Sequence, residues 1–343
     1  MDSNEAVRPA AGGGGLRSFL TDQLRNIAPV FTLLVLVVFF SVASPSFLTV
    51  ANGMNILSQV SITGIIAVGL TFVILTAEID LSVAAIANVI GITVAYFTLQ
   101  PDYVNIANVP LNGLLAVGLT LLSAFAFGCL TAFGVTRIGI PSFIMTLAVM
   151  QIANGVSALL VRGQIAYSYP EIVTYLGSGS IFGVRWTIIV CVMFLATAHF
   201  TLTYTRFGRY VYMVGGNREA AEYSGVNVRA IIAAVMIISA MCSGVAGMLG
   251  VAYFGSAQQN QFDTFLLDAI AAVVVGGTSL FGGRGGIGNT ITGLLVLGVL
   301  NNGLDHIQID SFLKILIRGL ILLIALTVNV YAQVLRVTGP KAD

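Results

Sequence analysis

The stretch Gly208-Arg209-Tyr210-Val211-Tyr212-Met213-Val214-Gly215-Gly216-Asn217-Arg218-Glu219-Ala220-Ala221-Glu222-Tyr223-Ser224-Gly225-Val226-Asn227-Val228 is a polar interruption between two long apolar segments. Within it, Glu219-Ala220-Ala221 and Gly225 read E-A-A-x-x-x-G. That spacing predicts one to two turns of helix, ended by a glycine. Such a helix is too polar to span a bilayer and too short to be a domain. It suits a knob presented to another protein at a membrane surface. An ordinary solvated loop helix is the competing reading.

The rest of the chain is nearly all apolar. Hydrophobic residues make up 57% of it and charged residues only 8%, and the mean hydropathy is +0.97. Soluble domains carry roughly 25% charged residues. No soluble core could hide this much apolar surface, so the chain is an all-α polytopic membrane protein. A net charge of +1 and the lack of a basic tract give no sign of nucleic-acid binding. Glycine is abundant, 38 residues, as expected where helices pack closely in a bilayer. Cys129, Cys191 and Cys242 each fall inside an apolar run and read as small packing residues.

A crossing needs about 20 mostly apolar residues. Ten candidates run near 27–44, 55–76, 81–99, 112–135, 140–161, 185–204, 230–252, 264–281, 287–303 and 312–332. The eighth and ninth are short and contain Asp268, Asn289, Asn301 and Asn302, so eight or nine crossings stay open as counts. The run from Ile27 to Ala43 exceeds a typical signal-peptide core and follows acidic residues, so it reads as a retained helix. The expected organisation is a disordered cytoplasmic tail over 1–26 and a membrane domain over 27–335. That domain includes a cytoplasmic loop at 206–229, and a short cytoplasmic tail follows at 336–343. Spans two to five and seven to ten could be related with an offset of five, which would invert one set relative to the other.

Orientation follows from the basic residues. With the N-terminus inside, the cytoplasmic side receives Arg8, Arg17, Arg25, Arg137, Arg206, Arg209, Arg218, Arg229, Arg284, Arg336 and Lys341. The other side receives Arg162, Arg185, Lys314 and Arg318. This bias is the positive-inside pattern. Both termini and the E-A-A segment then face the cytoplasm.

Several absences narrow the chemistry. No G-K-[ST] phosphate loop occurs, so nucleotide hydrolysis would belong to another subunit. His199 and His306 are far apart and no H-E-x-x-H occurs, which argues against an intramembrane metalloprotease. Gly276-Gly277-Thr278-Ser279-Leu280-Phe281-Gly282-Gly283 only superficially resembles a nucleophile loop, because Phe281 stands where G-x-S-x-G needs glycine. It reads as a glycine-rich turn. Asp80, in Glu78-Ile79-Asp80-Leu81-Ser82, is placed to N-cap span three. Asp268 lies about one turn inside span eight and should face the bundle interior or a wet path. Lys314 and Arg318 are its candidate partners.

At these residues a resemblance emerges, covering roughly 30–332. The chain resembles a permease subunit of the ABC importers for monosaccharides, of the ribose-permease type. Glu78-Ile79-Asp80-Leu81-Ser82 is similar to that family's G-I-D-L-S. Gly208–Val228 is similar to G-R-Y-x-Y-x-x-G-G-N-x-x-A-A-x-x-S-G-I-N-V. Leu267 to Leu280, with Gly282-Gly283-Arg284-Gly285, completes the match. Glu78 departs from the pattern, since the family usually has glycine there.

The resemblance implies two permease chains forming the pathway, in all expectation a homodimer, in the bacterial inner membrane. Cytoplasmic ABC ATPases would dock on the coupling helices and bind the ATP and magnesium, so this chain would be no enzyme and would need no cofactor. A periplasmic sugar-binding protein would deliver a small sugar or polyol. The coupling residues would be Gly208, Arg209, Gly215, Gly216, Asn217, Glu219, Ala220, Ala221 and Gly225. Asp80, Asp268, Gly276, Gly277, Thr278 and Ser279 would line or gate the pathway. The alternative is a secondary transporter of a small polar solute, driven by an ion gradient and working alone.

Overall fold

The computed structural model describes residues 15–99, 110–310, 312–321, 323–324 and 327, with the backbone alone for 15–27. Residues 1–14 of the expected N-terminal tail, the expected tail at 336–343, residues 100–109 between the third and fourth runs, and part of the tenth run lie outside these residues. The described helices are α1 (Gly15–Ala43), α2 (Val50–Leu75), α3 (Val83–Tyr96), α4 (Gly113–Phe133), α5 (Ser142–Val161), α6 (Glu171–Ser178), α7 (Trp186–Tyr204), α8 (Arg206–Gly216), α9 (Arg218–Tyr223), α10 (Val228–Phe254), α11 (Asp263–Val275) and α12 (Ile287–His306). Residues 312–321 are also helical. The fold is all-α apart from a two-residue hairpin, β1 (Ser180–Ile181) with β2 (Val184–Arg185).

Among the described residues, six helices are long and apolar enough to cross a membrane: α2, α4 with its π-helical extension Gly134–Ile138, α5, α7, α10 and α12. The chain is therefore a multi-pass membrane protein. α3 and α11 coincide with the third and eighth runs but hold only 14 and 13 residues. Irregular, partly buried backbone replaces their missing turns on one side, over 76–82 and 276–286. α1 begins at Gly15, well before residue 27, and corrects the expected boundary of the tail. Leu16, Phe19, Leu20 and Leu24 recur at helical spacing and carry the helix backward from the apolar run.

α2 and α10 form the centre. Over the apolar stretch of α2 83% of residues are buried, against 22% for α4 and 28% for α7, which face outward. Small residues allow the close approaches. A Cβ on Gly247 of α10 would strike the Ala87 backbone of α3, and one on Gly293 of α12 would strike the Ala272 carbonyl of α11. Polar bonds tie α2 to α12: Asn52 donates to Asn302 Oδ1 at 2.8 Å, and the Thr71 and Thr290 hydroxyls lie 2.7 Å apart.

Candidate functional site

The quoted stretch folds as two helices, not one. Three side chains start helices in and around it. Thr205 Oγ1 accepts from the Gly208 amide, Asn217 Oδ1 from Ala220 and Asn227 Oδ1 from Ala230, at 3.2, 3.0 and 3.0 Å. Asn217 breaks α8 from α9 with extended backbone. α9 holds Glu219, Ala220 and Ala221 and ends where Gly225 takes φ 80°. The Val226 amide then reaches back to the Ala221 carbonyl at 3.0 Å, satisfying an orphan acceptor at the helix end. Ala221 and Val226 are buried, while Glu219, Ala220, Glu222 and Tyr223 stand in solvent. Tyr223 is 91% exposed, the apolar tip of the knob.

The knob is fastened to the bundle at three points. Arg218, the first residue of α9, donates from Nη2 to Glu78 Oε1 at 2.7 Å. Glu78 belongs to the corner between α2 and α3 and is 8% exposed. Its departure from the family's glycine thus supplies the acceptor for Arg218. Gly215 lies so close to the end of α2 that a Cβ would collide with the Leu75 carbonyl, which also accepts from the Gly283 amide at 2.9 Å. Tyr212 Oη donates to the Gly285 carbonyl at 2.9 Å, and burial pushes its phenol pKa up, which keeps the proton on it. Gly208 packs on the carbonyls of Thr201 and Leu202 at the α7–α8 turn. Arg209 and Gly216 are exposed in part or whole and make none of these three fastenings.

Asp80 does not cap α3 as expected. The residue at the cap position is Ser82, whose own side chain makes no capping bond. Asp80 Oδ1 instead accepts from the Ser82 amide and hydroxyl at 2.9 and 2.5 Å, while Oδ2 accepts from Ser239 of α10 at 2.7 Å. The carboxylate is 2% exposed, and these bonds stand in for the water it has lost. The same corner bonds to α5: the Ile79 amide donates to Ser142 Oγ at 3.2 Å.

Gly276, Gly277, Thr278 and Ser279 start the turn between α11 and α12. Asn289 Nδ2 holds the Gly276 carbonyl at 2.9 Å, the Ser279 amide donates to Arg284 at 3.0 Å, and Thr278 is fully buried. Through Gly282 and Gly283 this turn abuts Gly215 and Ala77. The structure therefore brings the α2–α3 corner, α8–α9 and the α11–α12 turn together. Asp268 stands apart, in the middle of α11 rather than near its outer end. Its Oδ2 is 3.4 Å from Arg318 Nη1, while Arg318 Nε donates to Asn301 at 2.8 Å. Lys314 pairs with Asp305. No group of residues that could hold a metal ion occurs among the described residues.

Sequence reasoning named neither Arg218 nor Tyr223 as a site residue. The signal for Arg218 was the unexplained Glu78, a charge where the pattern asks for glycine.

A family model described as "Branched-chain amino acid transport system / permease component" matches residues 52–326. The ribose import permease protein of Escherichia coli (strain K12) is 37% identical over 320 residues, 92% of this chain and 97% of that protein. The ribose import permease protein of Bacillus subtilis (strain 168) is 34% identical over 89% of this chain and 93% of its own length. The D-allose transport system permease protein of E. coli is 32% identical over 87% and 90%.

The chain belongs to the ribose-permease-like family of ABC permeases.

No solved structure matches it. Within this permease, the three-way cluster gives a physical route from the knob to the spans. Arg218 and Glu78 link α9 to the α2–α3 corner, and Tyr212 links α8 to the α11–α12 turn. Packed elements move as bodies, so such contacts can shift helix pairs instead of being absorbed locally.

Proposed function

We propose that this permease imports a monosaccharide or a similar small polyol across the bacterial inner membrane, driven by ATP hydrolysed in a partner ATPase. One observation carries the reading. A permease similar almost end to end to ribose and allose permeases also presents a short exposed helix, α9, bonded to the α2–α3 corner and preceded by α8, which is bonded to the α11–α12 turn. Two copies form the pathway, and a periplasmic binding protein delivers the sugar. The ATPase docks on Glu219, Glu222 and Tyr223, and it binds the ATP and magnesium. This chain needs no cofactor of its own. Asp80 and the turn Gly276–Ser279 act as the cytoplasmic gate, and Asp268 as part of the wall above it.

Ten crossings follow if α1, α3, α11 and the helix beginning at 312 each traverse with the six long helices. Both termini are then cytoplasmic. Helix packing supports an inverted repeat. α10 packs on α3 and α4, and α3 on α4; correspondingly α2 packs on α11 and α12, and α11 on α12. These are equivalent pairs when spans two to five are related to seven to ten. An ion-coupled carrier would need a carboxylate free to take up its ion. Asp268, the candidate, is held by Arg318, which favours the ATP-driven reading.

The test is uptake of ribose, allose and xylose into proteoliposomes holding the permease and its ATPase, with the binding protein outside. Uptake should require ATP and survive a proton or sodium uncoupler. Uptake that collapses with the uncoupler despite ample ATP would overturn the proposal.

A further inference from the structure

α11 by itself is shorter than the hydrocarbon core, and its crossing needs the turn that follows it. Its 13 residues span about 20 Å, against roughly 30 Å of hydrocarbon. Its start is sunk into the bundle. A Cβ on Gly250 of α10 would meet both the Phe262 ring and the Ile62 side chain of α2, so the Phe262 ring lies at the level of Ile62. Ile62 lies about 18 Å along α2 from Val50, so α11 begins at that depth. Asn88 of α3, 1% exposed, uses both ends of its amide there. Its Oδ1 accepts from the Phe262 amide, and its Nδ2 donates to Asp263 Oδ1, each at 2.8 Å. Asp263 and Thr264 are nevertheless exposed.

Above this point runs a second polar feature. Gln59 and Asn55 precede Ile62 by one and two turns on the same side of α2, about 14 and 8 Å from Val50. Both are exposed, and among the described residues neither amide has a hydrogen-bond partner. Polar side chains at membrane depth face a bundle interior or a water-filled cavity, not hydrocarbon, because an unsatisfied amide there costs several kcal/mol. An aspartate exposed to lipid at this depth would cost about 2.5–3.5 kcal/mol on insertion scales.

We propose that Asn55 and Gln59 of α2 with Asp263 and Thr264 of α11 form the hydroxyl-binding wall of the passage, running from the outer end of α2 to the sunken start of α11. The chemistry fits a neutral polyhydroxylated solute. Amides both donate and accept, Thr264 does the same, and the oxygen of Asp263 not held by Asn88 accepts from a hydroxyl. The Asn88 bond fixes that carboxylate, so it needs no reordering when solute arrives.

The inference rests on the import reading for its solute, but not for its water. The first test is independent of any sugar. Cysteines placed singly at Asn55, Gln59 and Thr264 in the reconstituted transporter are treated with a membrane-impermeant thiol reagent, with the parent protein as background. Labelling at least tenfold faster than at a cysteine replacing Leu122, on the outward face of α4, is expected. Labelling no faster than at that site would overturn the wall. So would efficient cross-linking between two copies at 55 or 59 without loss of transport, which would make this face a subunit contact. The second test uses whichever of ribose, allose and xylose the native transporter carries. Gln59→Leu and Asp263→Asn should lower uptake at least tenfold, with ATPase co-purification unchanged. Uptake within twofold of native in both variants would overturn the solute-binding role. A native transporter that carries none of the three sugars with ATP would instead sink the import reading, leaving the labelling result standing.

Discussion

The bond between Arg218 and Glu78 is the contact through which α9 reaches the α2–α3 corner, and its removal should uncouple transport from ATP hydrolysis. A charge-assisted hydrogen bond contributes about 1.5–3 kcal/mol when removed from a buried site. Here the Glu78 side chain is 9% exposed but that of Arg218 is 48% exposed, so water already competes for the guanidinium. Exposed ion pairs contribute about 0–1 kcal/mol. The mixed case lands near 1 kcal/mol, or about fivefold in the equilibrium between docked and undocked corner. The assay is sugar transported per ATP hydrolysed in proteoliposomes. Glu78→Gln keeps the side-chain size and one acceptor, so it should lose two- to fivefold. Arg218→Gln should lose about fivefold, because it leaves the buried carboxylate without its partner. The double variant should lose no more than the worse single, since one contact underlies both losses. Losses that multiply in the double variant, or singles within twofold of native, would refute the link.

Gly225 has φ 80° and open space around its Cα, so conformation alone limits substitution. Gly225→Asn, a residue that tolerates this region, should keep most ATPase co-purification, whereas Gly225→Val should lose severalfold of it. Asp268→Asn leaves Arg318 with Asn301 alone in the membrane and should cost about 1–3 kcal/mol of stability, below the 3–5 kcal/mol of a fully buried pair because both partners retain some exposure. Adding Arg318→Gln should recover part of the lost thermal stability and uptake; a double variant worse than the single would contradict the pairing.

What was legible in the sequence was local, and what escaped it was pairing across the chain. α9 could be read because its stop lies within the stretch: a helix of that length needs an αL residue at its end, and Gly225 supplies one. α8 carries a helical signal as well, since Phe207, Val211 and Val214 recur at helical spacing and two of them are buried, but the reading of the stretch rested on its E-A-A segment alone. The hairpin after α6 turns through Phe182 at φ 51°, a conformation that its side chain gives no reason to expect. Asp80 looked like a cap because caps are local. Its partner Ser239 is 159 residues away, and no spacing rule reaches that far. Glu78 carries the point furthest. As a lone carboxylate at a turn it looked like a defect in the family pattern. Its meaning lies 140 residues on, at a position of the motif where the pattern specifies no residue type and this chain has Arg218. A glycine at 78 would leave that guanidinium with no acceptor in the corner, and a neutral residue at 218 would leave Glu78 buried and unpaired. The departure at Glu78 therefore makes physical sense only together with Arg218, as a single bond added between α9 and the α2–α3 corner.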